Sequence, residues 1–160
     1  MSFHTIEIQI DEQFQARTSP EPLRLAALET LKSMHEQIEE PCELAVVVTD
    51  DEALHELNLR HRGVDAPTDV LAFPDETRGP FVSAPGLPRY LGDVVISFPR
   101  AEAQAEEAGH GVQAELQLLV VHGVLHLLGY DDVTEEQRAQ MWAVQAEILQ
   151  ALDVEVNLPA

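Results

Sequence analysis

The sequence predicts an α+β domain, a small mixed sheet of about four strands packed with helices around one buried central helix. Two observations predict it. Short β-branched or alternating apolar runs are interspersed with segments of helical periodicity over the first two thirds of the chain. Later, Leu116 to Leu128 reads LQLLVVHGVLHLL, apolar nearly all round, the pattern of a helix that other elements must enclose.

Ile6, Ile8 and Ile10 alternate with Glu7 and Gln9, which gives the period of a half-buried strand. From Pro20 to about Ile38 the apolar residues Leu23, Ala26, Ala27, Leu31, Met34 and Ile38 recur at helical spacing, with proline at the entry, where its missing N–H costs nothing. Cys42 to Val48, CELAVVV, is a short buried strand, and the Thr-Asp-Asp after it offers a helix cap. The next helix runs from about Asp51 to His61 and ends at Gly63. Val70 to Phe73 forms a third strand and Tyr90 to Phe98 a fourth. Between them, DETRGPFVSAPGLPR carries three prolines and two glycines and reads as a surface loop. Pro99 opens a short helix through Ala108, Gly109-His110-Gly111 breaks it, and the buried helix follows from about Val112. Thr134 and Gln137 form a capping-box pattern that opens a last helix, whose apolar stripe is Met141, Val144, Ile148 and Leu152. Strand order is not legible from these patterns.

A chain of 160 residues is one domain, residues 1–160, and buries enough surface to fold without a metal or disulfide staple. Its single cysteine, Cys42, excludes an internal disulfide and fits a reducing compartment, with a small apolar residue's role at the start of a strand. The N-terminus lacks a basic region before an apolar stretch, and no apolar run reaches membrane length, so a cytoplasmic protein is expected. The net charge of −20 argues against broad attraction to nucleic acid. Its distribution is uneven: between Arg60 and Arg100 five basic residues balance five acidic ones, and the whole excess lies elsewhere.

Within the buried helix, His122 and His126 are four residues apart and share one face, so both rings can reach one cation. Seven histidines in 160 residues would place about 0.3 such pairs by chance, so the spacing alone is weak. The surroundings decide. Buried polar rings without partners cost roughly 1–3 kcal/mol each, and Gly123 between them costs the helix about 1 kcal/mol more. Gly129 then permits a turn that returns Asp131 or Asp132 to the histidines. Three ligands with a position left for water describe a catalytic metal rather than a structural one. The alternative is two hydrogen-bonded core histidines.

Counted from His122, the ligands fall at 0, 4 and 10 with glycine at 7, the layout of the long zinc-protease motif H-E-x-x-H-x-x-G-x-x-H. That motif puts its general base directly after the first histidine, and here Gly123 stands there, which disfavours a peptidase. Phosphodiester cleavage suits the site if a cation lies nearby, and Arg62 is the candidate, although Arg60 and Arg62 could simply complement the negative end of their helix. Asp93 reads as a turn aspartate, with orientation of a ligand histidine as the alternative. Met141 is expected in the core. His4, His35, His55, His61 and His110 lack ligand spacing and are expected in solvent, with His61 able to line a groove beside Arg62.

Three blocks in this order, ELNLRHRGVDAPTDVLAFP from Glu56, LGDVVIS from Leu91 and HGVLHLLGYDD from His122, resemble the YbeY family of bacterial rRNA maturation factors and cover roughly half the chain. The resemblance implies a zinc-protease-like core and a single-strand-specific, metal-dependent endoribonuclease of the cytoplasm. That activity serves 16S rRNA 3′-end maturation and ribosome quality control. It implies a metal, usually zinc, held by His122, His126 and the residue at position 132. The family carries a third histidine there and this chain Asp132, a change that also admits manganese or another divalent ion. It places the functional arginine on Arg62. Single-stranded rRNA, small-subunit ribosomal proteins and an assembly GTPase are the implied partners. Three other readings remain at this stage: a non-catalytic ribosome-assembly factor with a structural metal, a metallohydrolase of another substrate class, and an iron-dependent oxygenase built on the same two histidines and carboxylate.

Overall fold

The structure, a computed structural model, describes residues 4–34, 38, 40–75 and 89–156. Four strands, β1 (Thr5–Ile10), β2 (Cys42–Thr49), β3 (Val70–Pro74) and β4 (Arg89–Ser97), form one mixed sheet in the order β1-β2-β4-β3. β1, β2 and β4 run parallel, and β3 is an antiparallel edge strand paired to β4 from Val70↔Ile96 to Pro74↔Gly92. The helices are α1 (Pro20–Ser33), α2 (Asp51–Arg62), α3 (Phe98–Ala108), α4 (Val112–Leu127) and α5 (Glu135–Ala151).

Alternation along the strands sorts the helices onto two faces. Leu44, Val46, Val48, Val94 and Ile96 join residues of α1, α4 and α5 in the main core. Val47, Leu71, Val95 and Phe73 turn the other way and meet Leu54 and Leu57 of α2. α4 is the central helix expected from its composition: it contacts α1, α3, α5, β3 and β4, and Leu116, Val120, Val121, Val124 and Leu125 are fully buried.

Caps set most boundaries. Asp50 accepts from the Ala53 N–H at 2.8 Å at the start of α2, and Gly63, with φ of 70°, ends that helix. The Thr134 and Gln137 capping box is present at α5. α1 is shorter than its periodicity predicts: the Met34 N–H turns to the Leu31 carbonyl, and Ile38 packs against the core from outside the helix. Phe98 belongs to α3 rather than to the fourth strand, because Ser97 caps that helix through the Arg100 N–H. The expected surface loop before Arg89 and the expectation for His35 fall outside the described residues, apart from Asp75 and Arg89 at the loop's two ends.

Gly123 has a packing reason. A Cβ built there would lie 2.5 Å from Cγ1 of the fully buried Val94, so α4 crosses β4 at a distance only glycine permits. Val94 is β-branched and has little freedom to rotate away. We expect Gly123→Ala to lower stability by about 1–2 kcal/mol, overpacking outweighing the gain in helix propensity. In a Val94→Ala background the same change should be neutral or stabilising. Urea denaturation of the four proteins checks this; an equal effect in both backgrounds would exclude the close approach as its cause.

Candidate metal centre

The last turn of α4 builds the site. Its helix ends in a Schellman arrangement: the Gly129 N–H donates to His126 O at 3.0 Å and the Tyr130 N–H to Leu125 O at 3.0 Å. Gly129 has φ of 103°, a conformation that side chains strongly disfavour. This turn points the Tyr130 carbonyl back at His126, where it accepts from Nδ1 at 2.8 Å. Two residues later Asp132 comes over the same helix end. Arg138 of α5 holds the returning backbone by donating to the carbonyls of Asp132 and Val133, at 3.2 and 3.0 Å.

His122, His126 and Asp132 come together, all half-buried, as a group that could hold a metal ion. His122 Nε2 lies 3.1 Å from His126 Nε2, and Asp132 Oδ2 lies 3.7 and 3.6 Å from the two. A point equidistant from the three atoms is about 2.0 Å from each, the length of a zinc bond to imidazole or carboxylate. Asp131, the other carboxylate left open by the sequence, is exposed and outside this group, although it lines the same cleft.

The tautomers make the case for a cation stronger than distance alone. A carbonyl oxygen cannot donate, so His126 Nδ1 carries a hydrogen, and the neutral ring with that tautomer presents its lone pair at Nε2. His122 Nδ1 likewise donates to Gln145 Oε1 at 2.6 Å. Burial pushes the His122 pKa below its ordinary value, with Gln145 and Asp132 opposing it, so the ring is neutral at pH 7. With both rings neutral, two nitrogen lone pairs and a carboxylate face one another, an arrangement that a proton between the Nε2 atoms or a cation at the centre relieves.

Arg62 ends α2, on the opposite face of the sheet, yet it lines the same cleft as the three ligand residues. The cleft, about 620 Å³, runs along edge strand β3 and is lined by residues of both α2 and α4. Arg60 is committed to Glu56 at 2.7 Å. Arg62 is exposed and forms no ion pair among the described residues. His61 is exposed and lines the cleft too.

Other expectations need correction. Asp93 is not a turn residue, and among the described residues it pairs with no histidine: it lies within β4, opposite Ala45 and Phe73, and accepts a hydrogen bond from the Tyr90 hydroxyl. Two histidines expected in solvent are tied down. His4 Nδ1 accepts from the Cys42 N–H at 3.0 Å, and His110 pairs with Glu115 at 2.7 Å, both side chains only 7 % exposed. Met141 is buried in the core as expected. Sequence reasoning missed Gln145, which sits beside the predicted stripe of α5, and Arg138; only a polar residue next to an apolar stripe hinted at the first.

Comparison with known proteins adds an independent line. The family model described as Endoribonuclease YbeY matches residues 8–153. The chain is 48 % identical over 151 residues to an endoribonuclease YbeY of Chloroflexus aurantiacus, covering 93 % of this chain and 96 % of that one. It is 44 % identical over 148 residues to the Roseiflexus castenholzii protein of the same description, covering 92 % of each. A solution structure from Thermotoga maritima superposes with a TM-score of 0.57 at 25 % identity, covering 92 % of this chain and 89 % of that one.

Because Gln145 fixes the His122 tautomer from a buried position, Gln145→Leu should leave the fold intact and weaken binding of a divalent ion about 10- to 100-fold. Competition against a chromophoric chelator measures this directly. Unchanged affinity would remove Gln145 from the site.

Proposed function

The chain belongs to the YbeY endoribonuclease family, and on that premise we propose that it is a single-strand-specific, metal-dependent endoribonuclease of the cytoplasm acting in 16S rRNA 3′-end maturation and ribosome quality control. The observation that carries the reading is one cleft lined by both a ready-made ligand triangle and a guanidinium that forms no ion pair among the described residues. His122, His126 and Asp132 are the proposed ligands and Arg62 the proposed catalytic residue. Zinc is the ion the family implies; the carboxylate admits manganese as well. Single-stranded rRNA is the proposed substrate, with small-subunit ribosomal proteins and an assembly GTPase as partners. No helix among the described residues is long and apolar enough to cross a membrane.

The chain's own residues divide the work. Gln145 and the Tyr130 carbonyl hold both imidazoles in the tautomer that presents Nε2. Arg62 supplies a planar fork of donors for two phosphoryl oxygens, and its contribution grows as negative charge accumulates on them. The chemistry a divalent cation supplies at such a site is Lewis acidity, which makes water more acidic and polarises a phosphoryl oxygen. Gly123 leaves the base of a peptidase missing, and the Val94 contact leaves no room for one.

We expect Arg62→Ala to reduce cleavage of a defined single-stranded RNA by about 100- to 1000-fold with fold and metal content unchanged. A non-catalytic assembly factor would show no such loss. We expect His122→Ala or His126→Ala to abolish stoichiometric metal in purified protein. Retention measured by elemental analysis would refute the ligand assignment.

A further inference from the structure

The cleft also holds an aromatic pair. His61, next to Arg62 at the end of α2, meets Phe73 of β3 edge to face, with ring centroids 5.0 Å apart and planes at 61°. Both line the cleft that contains Arg62 and the ligand group. In an edge-to-face pair, the ring whose edge makes the contact does not have its faces covered by its partner, and His61 is itself exposed at the cleft. Val133, 78 % exposed, lines the same cleft and adds apolar surface.

We propose that His61 and Phe73 form a stacking platform for an unpaired base of the RNA strand whose phosphate Arg62 contacts. This rests on the endoribonuclease reading and deepens it by naming how a single strand is selected. In a duplex each base has its faces covered by its neighbours, whereas an unpaired nucleotide can be splayed out and laid on an aromatic ring. Every base has such a face, so the platform is tolerant of sequence. Adjacent residues at a helix end then serve adjacent parts of one nucleotide, Arg62 taking the phosphate and His61 the base. The platform also eases the electrostatic difficulty of a protein with net charge −20, because stacking releases no counterions.

The experiment uses the metal-loaded full chain, with binding read by fluorescence anisotropy on ice before turnover. The probes are a short single-stranded oligoadenylate and a chain of equal length built of abasic phosphates. His61 is exposed, so its replacement leaves the core untouched. Expected is a loss of about 5- to 100-fold in affinity for oligoadenylate in His61→Ala, constant as salt is raised, with recovery in His61→Phe. The abasic chain should bind more weakly to the parent protein and equally to parent and His61→Ala. Equal binding of oligoadenylate by parent and His61→Ala, with cleavage retained, would overturn the platform and leave the nuclease reading standing. A parent protein that bound and cleaved neither chain would overturn the nuclease reading and the platform with it.

Discussion

Three electron-pair donors directed at one point, within 3.7 Å of each other in a half-buried corner, are the constraint around which the rest of this fold is arranged. Side chains free to choose would separate, since lone pairs and a carboxylate gain nothing by convergence. They are held by elements whose own stability does not depend on the site. α4 is fixed by apolar burial along its length, and its last two turns carry the imidazoles wherever that packing puts them. The Schellman turn is satisfied by its own backbone bonds, and it delivers both the Tyr130 carbonyl and Asp132. Gln145 reaches in from α5, whose Met141 and Ile148 are buried on the same side. The apolar core thus supplies the rigidity, and the polar groups spend it on holding an otherwise unfavourable geometry.

Sheet topology explains why a residue from the far face takes part. α2 and α4 lie on opposite faces and would be separated by the full sheet if a further strand followed β3. β3 is instead a short edge strand, and it ends in Pro74, which cannot extend a ladder through its nitrogen. The C-terminal end of α2 therefore overhangs the sheet's margin, and its last residues, His61 and Arg62, look into the cleft whose other wall is α4. Asn58 secures that overhang: it is buried, its side-chain amide donates to the Ala66 carbonyl at 2.8 Å, and its backbone carbonyl accepts from the Val64 N–H.

Much of this was legible in the sequence because it depends on local patterns. Alternation at Ile6 to Ile10, the nearly all-apolar run of α4, the Thr134 capping box and the His122 and His126 spacing are each set within a few residues. The groups that complete the site are not local. Gln145 lies 23 residues from the ring it orients and resembles any polar residue on a helix. The choice of Asp132 over its neighbour turned on which way a glycine turn directs two adjacent carboxylates. Gly123 signalled a cost, and only the position of Val94 shows what that cost permits. His110 and His4 were misplaced for the same reason, since Glu115 and the Cys42 N–H are supplied by the fold.

Charge might be thought to argue against an RNA substrate, yet the relevant quantity is local. At physiological ionic strength the Debye length is about 8 Å, so most carboxylates of this acidic chain are screened from the cleft while Arg62 acts at contact range. Two neutral imidazoles and one carboxylate around a divalent ion would leave a single positive charge and Arg62 would raise it to two, while Asp69 and Asp131, which line the same cleft, offset it. A phosphodiester carries one negative charge and gains a second as a nucleophile adds to phosphorus. With a third neutral imidazole in place of Asp132 the ligand set and Arg62 together would carry three positive charges, and would hold both the singly charged ground state and the doubly charged transition state more tightly. A carboxylate at position 132 would lower the charge of the ligand set by one, so a developing dianion would be less strongly stabilised there than by three neutral ligands, and more of that stabilisation would fall to Arg62.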